Sequence, residues 1–109
     1  WICREGEFIE LEGEPTTINA KVPKSTFKTH TVELLTDDVV YLFTNGLIDQ
    51  FGGEEGKKLR LSNLRRLLQA VYRYDSAKQR DMLQKAFEDW RGNMEQIDDI
   101  CIMGIKISD

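Results

Sequence analysis

Two adjacent carboxylates, Asp98 and Asp99, stand directly before the apolar run that ends the sequence. Carboxylate oxygens are the ligands that hard divalent cations such as Mg²⁺ and Mn²⁺ prefer. Two aspartates before a strand serve equally well as turn residues. The pair therefore indicates a metal site only if a second polar group reaches the same place in the fold.

Residues 39–53, with the sequence VVYLFTNGLIDQFGG, offer such a group. The run at 39–43 is rich in β-branched and aromatic side chains and predicts a buried strand. It stops at Thr44, Asn45 and Gly46, so that short polar residues stand at a strand end beside a glycine. Asn-Gly between two apolar runs is also the strongest local signal for a tight hairpin. From this stretch alone both interpretations remain open.

Other residues that could do chemistry have simpler explanations. Asp37 and Asp38 lie between two predicted strands, which favours turn chemistry over a metal pair. Lys57 and Lys58 follow a glycine in a charged loop and are expected to be solvated. His30 is the sole histidine and is expected on a solvated strand face, so a catalytic triad that needs a histidine is improbable.

The two cysteines, Cys3 and Cys101, lie in predicted strands far apart in the sequence. Their spacing matches no zinc motif. We expect two buried free thiols in a reducing compartment.

The composition is that of a globular chain of 109 residues, with 40% hydrophobic and 31% charged residues. This length predicts a single domain. The net charge of -4 argues against nucleic acid and anionic membrane surfaces as partners. No apolar run is long enough to span a bilayer, and no signal-peptide pattern is present. Because the sequence starts at Trp1 in strand-like residues, we expect a fragment of a longer protein.

Alternation of apolar and polar residues predicts the strands that must position these groups. Gly13 and two prolines indicate an irregular loop over residues 12–25. The predicted strands are 1–4, 7–11, 27–35, 39–43 and 96–107.

Two amphipathic helices are predicted between the fourth and fifth of these strands. Ser62 is a suitable N-cap for a helix that runs to about Tyr72. Ser76 begins a capping-box pattern for the second helix, and Gly92 is well placed to end it. The apolar stripes, which are expected to be core, are Leu64, Leu67, Leu68 and Val71 in the first helix and Leu83, Ala86, Phe87 and Trp90 in the second.

The order of these parts resembles the metal-dependent (PPM, type 2C) protein phosphatases, and most closely their bacterial branch with the stage II sporulation phosphatase (SpoIIE) and the sigma-factor regulator phosphatases. The matching pieces are YLFTNGLIDQFGG, the W-x-G at Trp90 to Gly92 and QIDDICIMGI. The resemblance covers essentially the whole chain but only the C-terminal half of the family's domain. The acidic motifs of the N-terminal half have no counterpart here.

The resemblance implies an α+β fold, a partial PPM-type β-sandwich of antiparallel strands flanked by two antiparallel helices. It also implies a two-metal Mn or Mg site, where a metal-bound water attacks phosphoserine or phosphothreonine. By position, Asn45 stands where the family has a metal-binding Asp. Asp98 matches a second metal-binding Asp, Asp99 a supporting position, and Gly46 lets the backbone turn close to the metals. Because Asn lacks the charge of a carboxylate, we expect weaker metal binding.

The resemblance implies a cytoplasmic bacterial signalling phosphatase that acts on a phosphoprotein, with an upstream sensor domain, no nucleic acid and no direct membrane contact. The isolated fragment is expected to be inactive, because half of the metal ligands are missing. The alternative is a catalytically degenerate domain that serves as a binding or assembly module. A half-sandwich also exposes apolar strand faces, which leaves homo-oligomerisation open.

Overall fold

The computed structural model of the chain describes residues 1–14 and 27–109. These residues form an α+β fold in which every paired strand is antiparallel, as the resemblance implied. In chain order the elements are β1 (Ile2–Arg4), β2 (Glu7–Ile9), β3 (Val39–Phe43), β4 (Phe51–Gly52), β5 (Lys57–Lys58), α1 (Arg60–Val71), α2 (Ser76–Arg91) and β6 (Ile102–Lys106).

The main sheet has four strands in the order β2-β1-β3-β6. The apolar run that forms β3 is central, because it pairs with β1 on one side and with β6 along its whole length on the other. The two predicted N-terminal strands are confirmed, and their hairpin turns at Glu5 and Gly6, both of which have positive φ. The short hairpin β4-β5 forms a separate sheet where only a charged loop was predicted.

The predicted strand at 27–35 is wrong. This segment has no regular secondary structure, and its residues are exposed except for the half-covered Val32. Alternation predicts which face of a strand is buried, but a strand also needs a neighbour to pair with. The segment pairs with neither edge strand of the main sheet, β2 or β6, and instead donates the Leu35 N–H to the Asp38 carboxylate at 2.8 Å. The predicted loop at 12–25 lies outside the described residues from position 15 onward.

Helix α1 begins at Arg60, so the predicted cap at Ser62 is wrong and Ser62 lies inside the first turn. No side chain caps this helix end. Backbone carbonyls take that role, because Leu59 N–H donates to Gln50 O at 3.0 Å and Arg60 N–H donates to Ile48 O at 2.9 Å. The helix start is therefore fixed by the turn that follows β3.

Helix α2 begins at Ser76, but its cap is the preceding residue, Asp75. The Asp75 carboxylate accepts a 2.8 Å hydrogen bond from Lys78 N–H, which corrects the predicted capping box by one position. Gly92 ends the helix with a φ of 55°, as predicted. The connection between the helices is short and the helices contact each other, as expected for antiparallel neighbours.

The core lies between one face of the main sheet and the helices. The α1 stripe is confirmed as core, since Leu64 and Leu68 are fully buried, whereas the α2 stripe is only half-buried. The other face of the sheet is open to solvent, with Leu42, Met103 and Ile105 exposed by 57%, 52% and 46%. The residues of the core cluster are Cys3, Val39, Tyr41, Leu47, Leu59, Leu64, Leu68 and Val71.

Candidate metal centre

The end of β3 passes into a helical turn and not into a hairpin. Asp49 N–H donates to Asn45 O at 3.0 Å, so the chain winds through one turn after the strand. The sheet neighbours of β3 are β1 and β6, and neither follows it directly in the sequence. The hairpin interpretation of Asn45 and Gly46 is therefore wrong, and the strand presents Asn45 with its side chain exposed.

Thr44 joins this strand end to the segment that carries the two aspartates. Its N–H donates to Cys101 O at 3.0 Å, and its hydroxyl accepts from Cys101 N–H at 3.1 Å. The same hydroxyl donates to Asp99 O at 3.3 Å. One of these three hydrogen bonds reaches Asp99 and two reach Cys101, so Thr44 holds the 99–101 segment beside the strand end.

Gly46 lies directly against Asp99. A Cβ atom built on Gly46 would stand 2.0 Å from Asp99 O and 2.8 Å from Asp99 C, which no real Cβ can do. The position is glycine because the two backbones touch. Neighbouring residues in this turn and in the 98–101 segment therefore share one edge of the sheet.

The side chains of Asp98 and Asp99 are exposed. One carboxylate oxygen of Asp98 accepts from Asp99 N–H at 2.7 Å, and Gln96 Nε2 donates to Asp98 O at 3.1 Å. The second carboxylate oxygen of Asp98 and both of Asp99 accept no hydrogen bond from any residue that the structure describes. They are free to face a cation.

The donor atoms are of the type that a hard cation binds, but there are too few of them to complete its coordination. An amide oxygen and two carboxylates suit Mg²⁺ or Mn²⁺, yet such ions need about six oxygen ligands. Among residues 1–14 and 27–109, no group of three or more acidic, histidine or cysteine side chains stands close enough to hold a metal. Asn45, Asp98 and Asp99 by themselves therefore do not complete a coordination shell.

Gln50 is a residue of this region that the sequence did not single out. Its side chain is fully buried, and its Nε2 donates to Glu95 O and to Phe51 O, each at 2.9 Å. Its backbone carbonyl accepts from the Trp90 indole at 3.0 Å. The one sequence signal that could have pointed to Gln50 is its place between an apolar turn and a Gly-Gly pair.

The other polar residues that the sequence offered as candidates form ion pairs or lie on the surface. Asp38 is buried, and Arg4 holds it with a 2.8 Å ion pair. The Arg4 hydrogen bonds, and after them the Leu35 N–H, lower the pKa of the Asp38 carboxyl. His30 is exposed on a segment without regular structure, and Lys57 pairs with Glu55 at 2.8 Å on the surface.

Both cysteines are free, but only one is buried. Cys3 lies in the core, where burial raises the pKa of its thiol. The prediction of a buried Cys101 is wrong, since its side chain is exposed just before β6. It lies beside Thr44, and its backbone, not its sulfur, makes the contacts described above.

This fold is that of the PPM (PP2C) class of phosphatase domains. The SiaA-PP2C domain of Pseudomonas aeruginosa is similar in structure, with a TM-score of 0.73 and 25% sequence identity. The match covers 77% of this chain and 34% of that chain, so the present chain spans about a third of its neighbour's length.

The sequence also identifies the family within this class. The family described as Stage II sporulation protein E (SpoIIE) matches residues 2–108, and the chain belongs to this family. Among curated proteins, no significant match is found.

Proposed function

We propose that the chain forms part of the metal centre of a protein serine/threonine phosphatase. The observation that supports this proposal is the contact between the β3 end and the 98–101 segment. Thr44 and Gly46 bring the backbones of Asn45 and Asp99 to one edge, although 54 positions separate these two residues in the sequence. The substrate class proposed is phosphoserine or phosphothreonine on a bacterial regulatory protein.

The proposed roles of the residues follow from their donor atoms. The Asn45 amide oxygen and the free carboxylate oxygens of Asp98 and Asp99 would hold Mn²⁺ or Mg²⁺. Gly46 would keep the space beside Asp99 open. When bound, such a pair of ions lowers the pKa of a coordinated water and neutralises charge on the phosphoryl oxygens.

We further propose that residues 1–109 are the C-terminal portion of the phosphatase domain. The coverage of 34% of the SiaA-PP2C chain and the incomplete ligand set support a partial domain, and the absence from this sequence of the family's N-terminal acidic motifs supports its C-terminal portion. The missing ligands would then come from the preceding half of the domain. We propose a cytoplasmic protein with an upstream sensor domain and no nucleic-acid partner. No helix in the described part of the chain is both long and apolar enough to cross a membrane.

Asn45 supports a second candidate function. An amide supplies no negative charge, and hard-cation affinity depends strongly on the number of charged ligands. A domain that has lost this charge could serve as a module that binds a phosphoprotein or assembles a larger sensor without turnover. The two functions differ in what restoring the carboxylate would do.

The experiment is hydrolysis of a phosphoserine peptide by the full-length protein over a range of MnCl₂ concentrations. For the phosphatase we expect Mn-dependent turnover, and Asn45→Asp should lower the Mn concentration needed for half-maximal rate. Asn93→Asp is the matched control, because it makes the same change of charge at an exposed position just beyond α2. No turnover by the wild type or by Asn45→Asp would favour the binding module.

A further inference from the structure

Gln50 is buried where three parts of the molecule meet. Its backbone N–H donates to Leu47 O at 3.2 Å, which closes the turn after β3. Its carbonyl accepts from both Leu59 N–H and the Trp90 indole, each at 3.0 Å. Its side-chain amide reaches Glu95 O in the loop after α2. One residue thus links the β3 turn, the start of α1 and the loop that leads to the aspartates.

Trp90 completes this link from the last turn of α2. Gly53 N–H donates to Trp90 O at 2.9 Å, and a Cβ on Gly52 would stand 2.1 Å from that same oxygen. The ring covers Gly53 at a distance that leaves no room for a side chain. The end of α2 is therefore locked to the segment around Gln50, and the loop that begins at Gly92 starts from a fixed point.

We propose that Gln50 is a positioning residue for the metal centre. It would act through the loop at 92–99, because Glu95 lies only three positions before Asp98. Thr44 holds this segment at Asp99 and Cys101, and Gln50 holds it at Glu95. Asp98 thus lies between two attachments, one at Glu95 and one at Asp99. This inference rests on the proposed metal-binding function of Asp98.

The buried amide suits this role better than an apolar side chain would. Both partners of its Nε2 are backbone carbonyls, to which an apolar side chain could not donate. Its Oε1 atom is buried without a hydrogen-bond partner among the described residues. Such a group lowers stability. A residue chosen only for packing would avoid it.

The test uses Gln50→Met in the full-length protein, which keeps the side-chain length and removes the amide. Two readouts are followed: hydrogen exchange of the hydrogen-bonded amides of Met94, Asp99 and Cys101, on either side of the Glu95 contact, and affinity for Mn²⁺. We expect exchange of these amides to be faster by roughly tenfold, because the hydrogen bond that holds Glu95 O is lost. Mn²⁺ affinity should fall by about ten- to hundredfold, the usual effect of removing a group that orients metal ligands.

Two variants separate positioning from general stability. Gln84→Met makes the same change on the exposed face of α2 and should leave both readouts at the wild-type level. Leu64→Ala lowers global stability by leaving a cavity in the core. While the protein is folded, it should leave Mn²⁺ affinity and the exchange of the Met94, Asp99 and Cys101 amides at the wild-type level. Equal exchange and affinity in Gln50→Met and wild type would overturn the proposal.

A third variant decides the matter if Gln50→Met does not fold. Gln50→Asn keeps an amide but shortens the side chain by one methylene, which withdraws the donor from Glu95 O. Faster exchange of the Met94, Asp99 and Cys101 amides in this variant supports the proposal, and unchanged exchange refutes it. If the wild type binds no Mn²⁺, the proposed function fails, but the exchange measurement still decides whether Gln50 holds the loop.

Discussion

Replacement of Gly46 by alanine tests the contact on which the candidate site depends. The new methyl group would stand 2.0 Å from Asp99 O, whereas ordinary van der Waals contact begins at 3.4 Å. Ile100 Cγ1, at 3.0 Å, blocks a second direction. The obstacle is backbone, which Thr44 holds in place, so the two segments must separate by more than an ångström.

The magnitude follows from overpacking. Added methylenes in a well-packed region lower stability by about 1–3 kcal/mol, and a rigid backbone neighbour favours the upper part of that range. For a domain near this size, about 1 kcal/mol lowers Tm by roughly 4–8 °C. We expect Gly46→Ala to lower Tm by roughly 8–20 °C and to lower the urea midpoint with little change in slope.

Gly13→Ala is the matched control, since a Cβ there meets no atom of the described residues within 4 Å. A surface change of this kind should alter stability by less than about 0.5 kcal/mol. If Gly46→Ala and Gly13→Ala unfold at the same temperature, the contact between Gly46 and Asp99 is not present in solution. The argument that joins Asn45 to the aspartates would then lose its support.

Three further predictions each concern a single residue. Tyr41→Phe leaves the buried Oε1 of Gln79 without its 2.6 Å hydrogen bond, so the free energy of unfolding in urea should fall by about 1–3 kcal/mol, and an unchanged midpoint would contradict this. The folded-state pKa of Asp38 is lowered, so its negative charge stabilises the fold. This contribution is fully present above the unfolded-state pKa of about 3.9. It is lost as the pH falls through the folded-state pKa. The stability difference between wild type and Asp38→Asn should therefore be constant near neutral pH and shrink below about pH 4 in acid titrations. Asn45, exposed and followed by glycine, should deamidate faster than Asn93 when the protein is incubated at alkaline pH, and peptide mass mapping that finds equal rates would refute this.

Periodicity predicted the buried faces well because it reports burial directly. The α1 stripe at Leu64 and Leu68 is fully buried, and the run that forms β3 is the centre of the sheet. The same signal failed at 27–35, where alternation exists without a neighbouring strand to pair with. Local pattern carries no information on whether the fold brings a segment alongside the edge of a sheet.

The start of α1 shows a second limit. Ser62 has the chemistry of a cap, but the carbonyls of Ile48 and Gln50 already accept the hydrogen bonds that a cap would satisfy. Those partners lie about ten positions upstream and are brought close by the β3 turn. The metal roles of Asn45, Gly46, Asp98 and Asp99 stay predictions, although the structure does place Gly46 against Asp99.

The incomplete ligand set determines where the effect of Asn45→Asp must be measured. A carboxylate added at position 45 raises the affinity most when the other ligands already hold the cation beside it, since affinity depends on ligand charge and on the rigidity of the site. Within residues 1–14 and 27–109 the shell is open, so restoring the charge at Asn45 should change Mn²⁺ affinity only slightly in this chain alone. In the full-length protein the same substitution should act with the missing ligands and have a larger effect. Equal gains in both would mean that residues 1–109 hold the cation without help, and the proposal that a preceding half supplies ligands would fail.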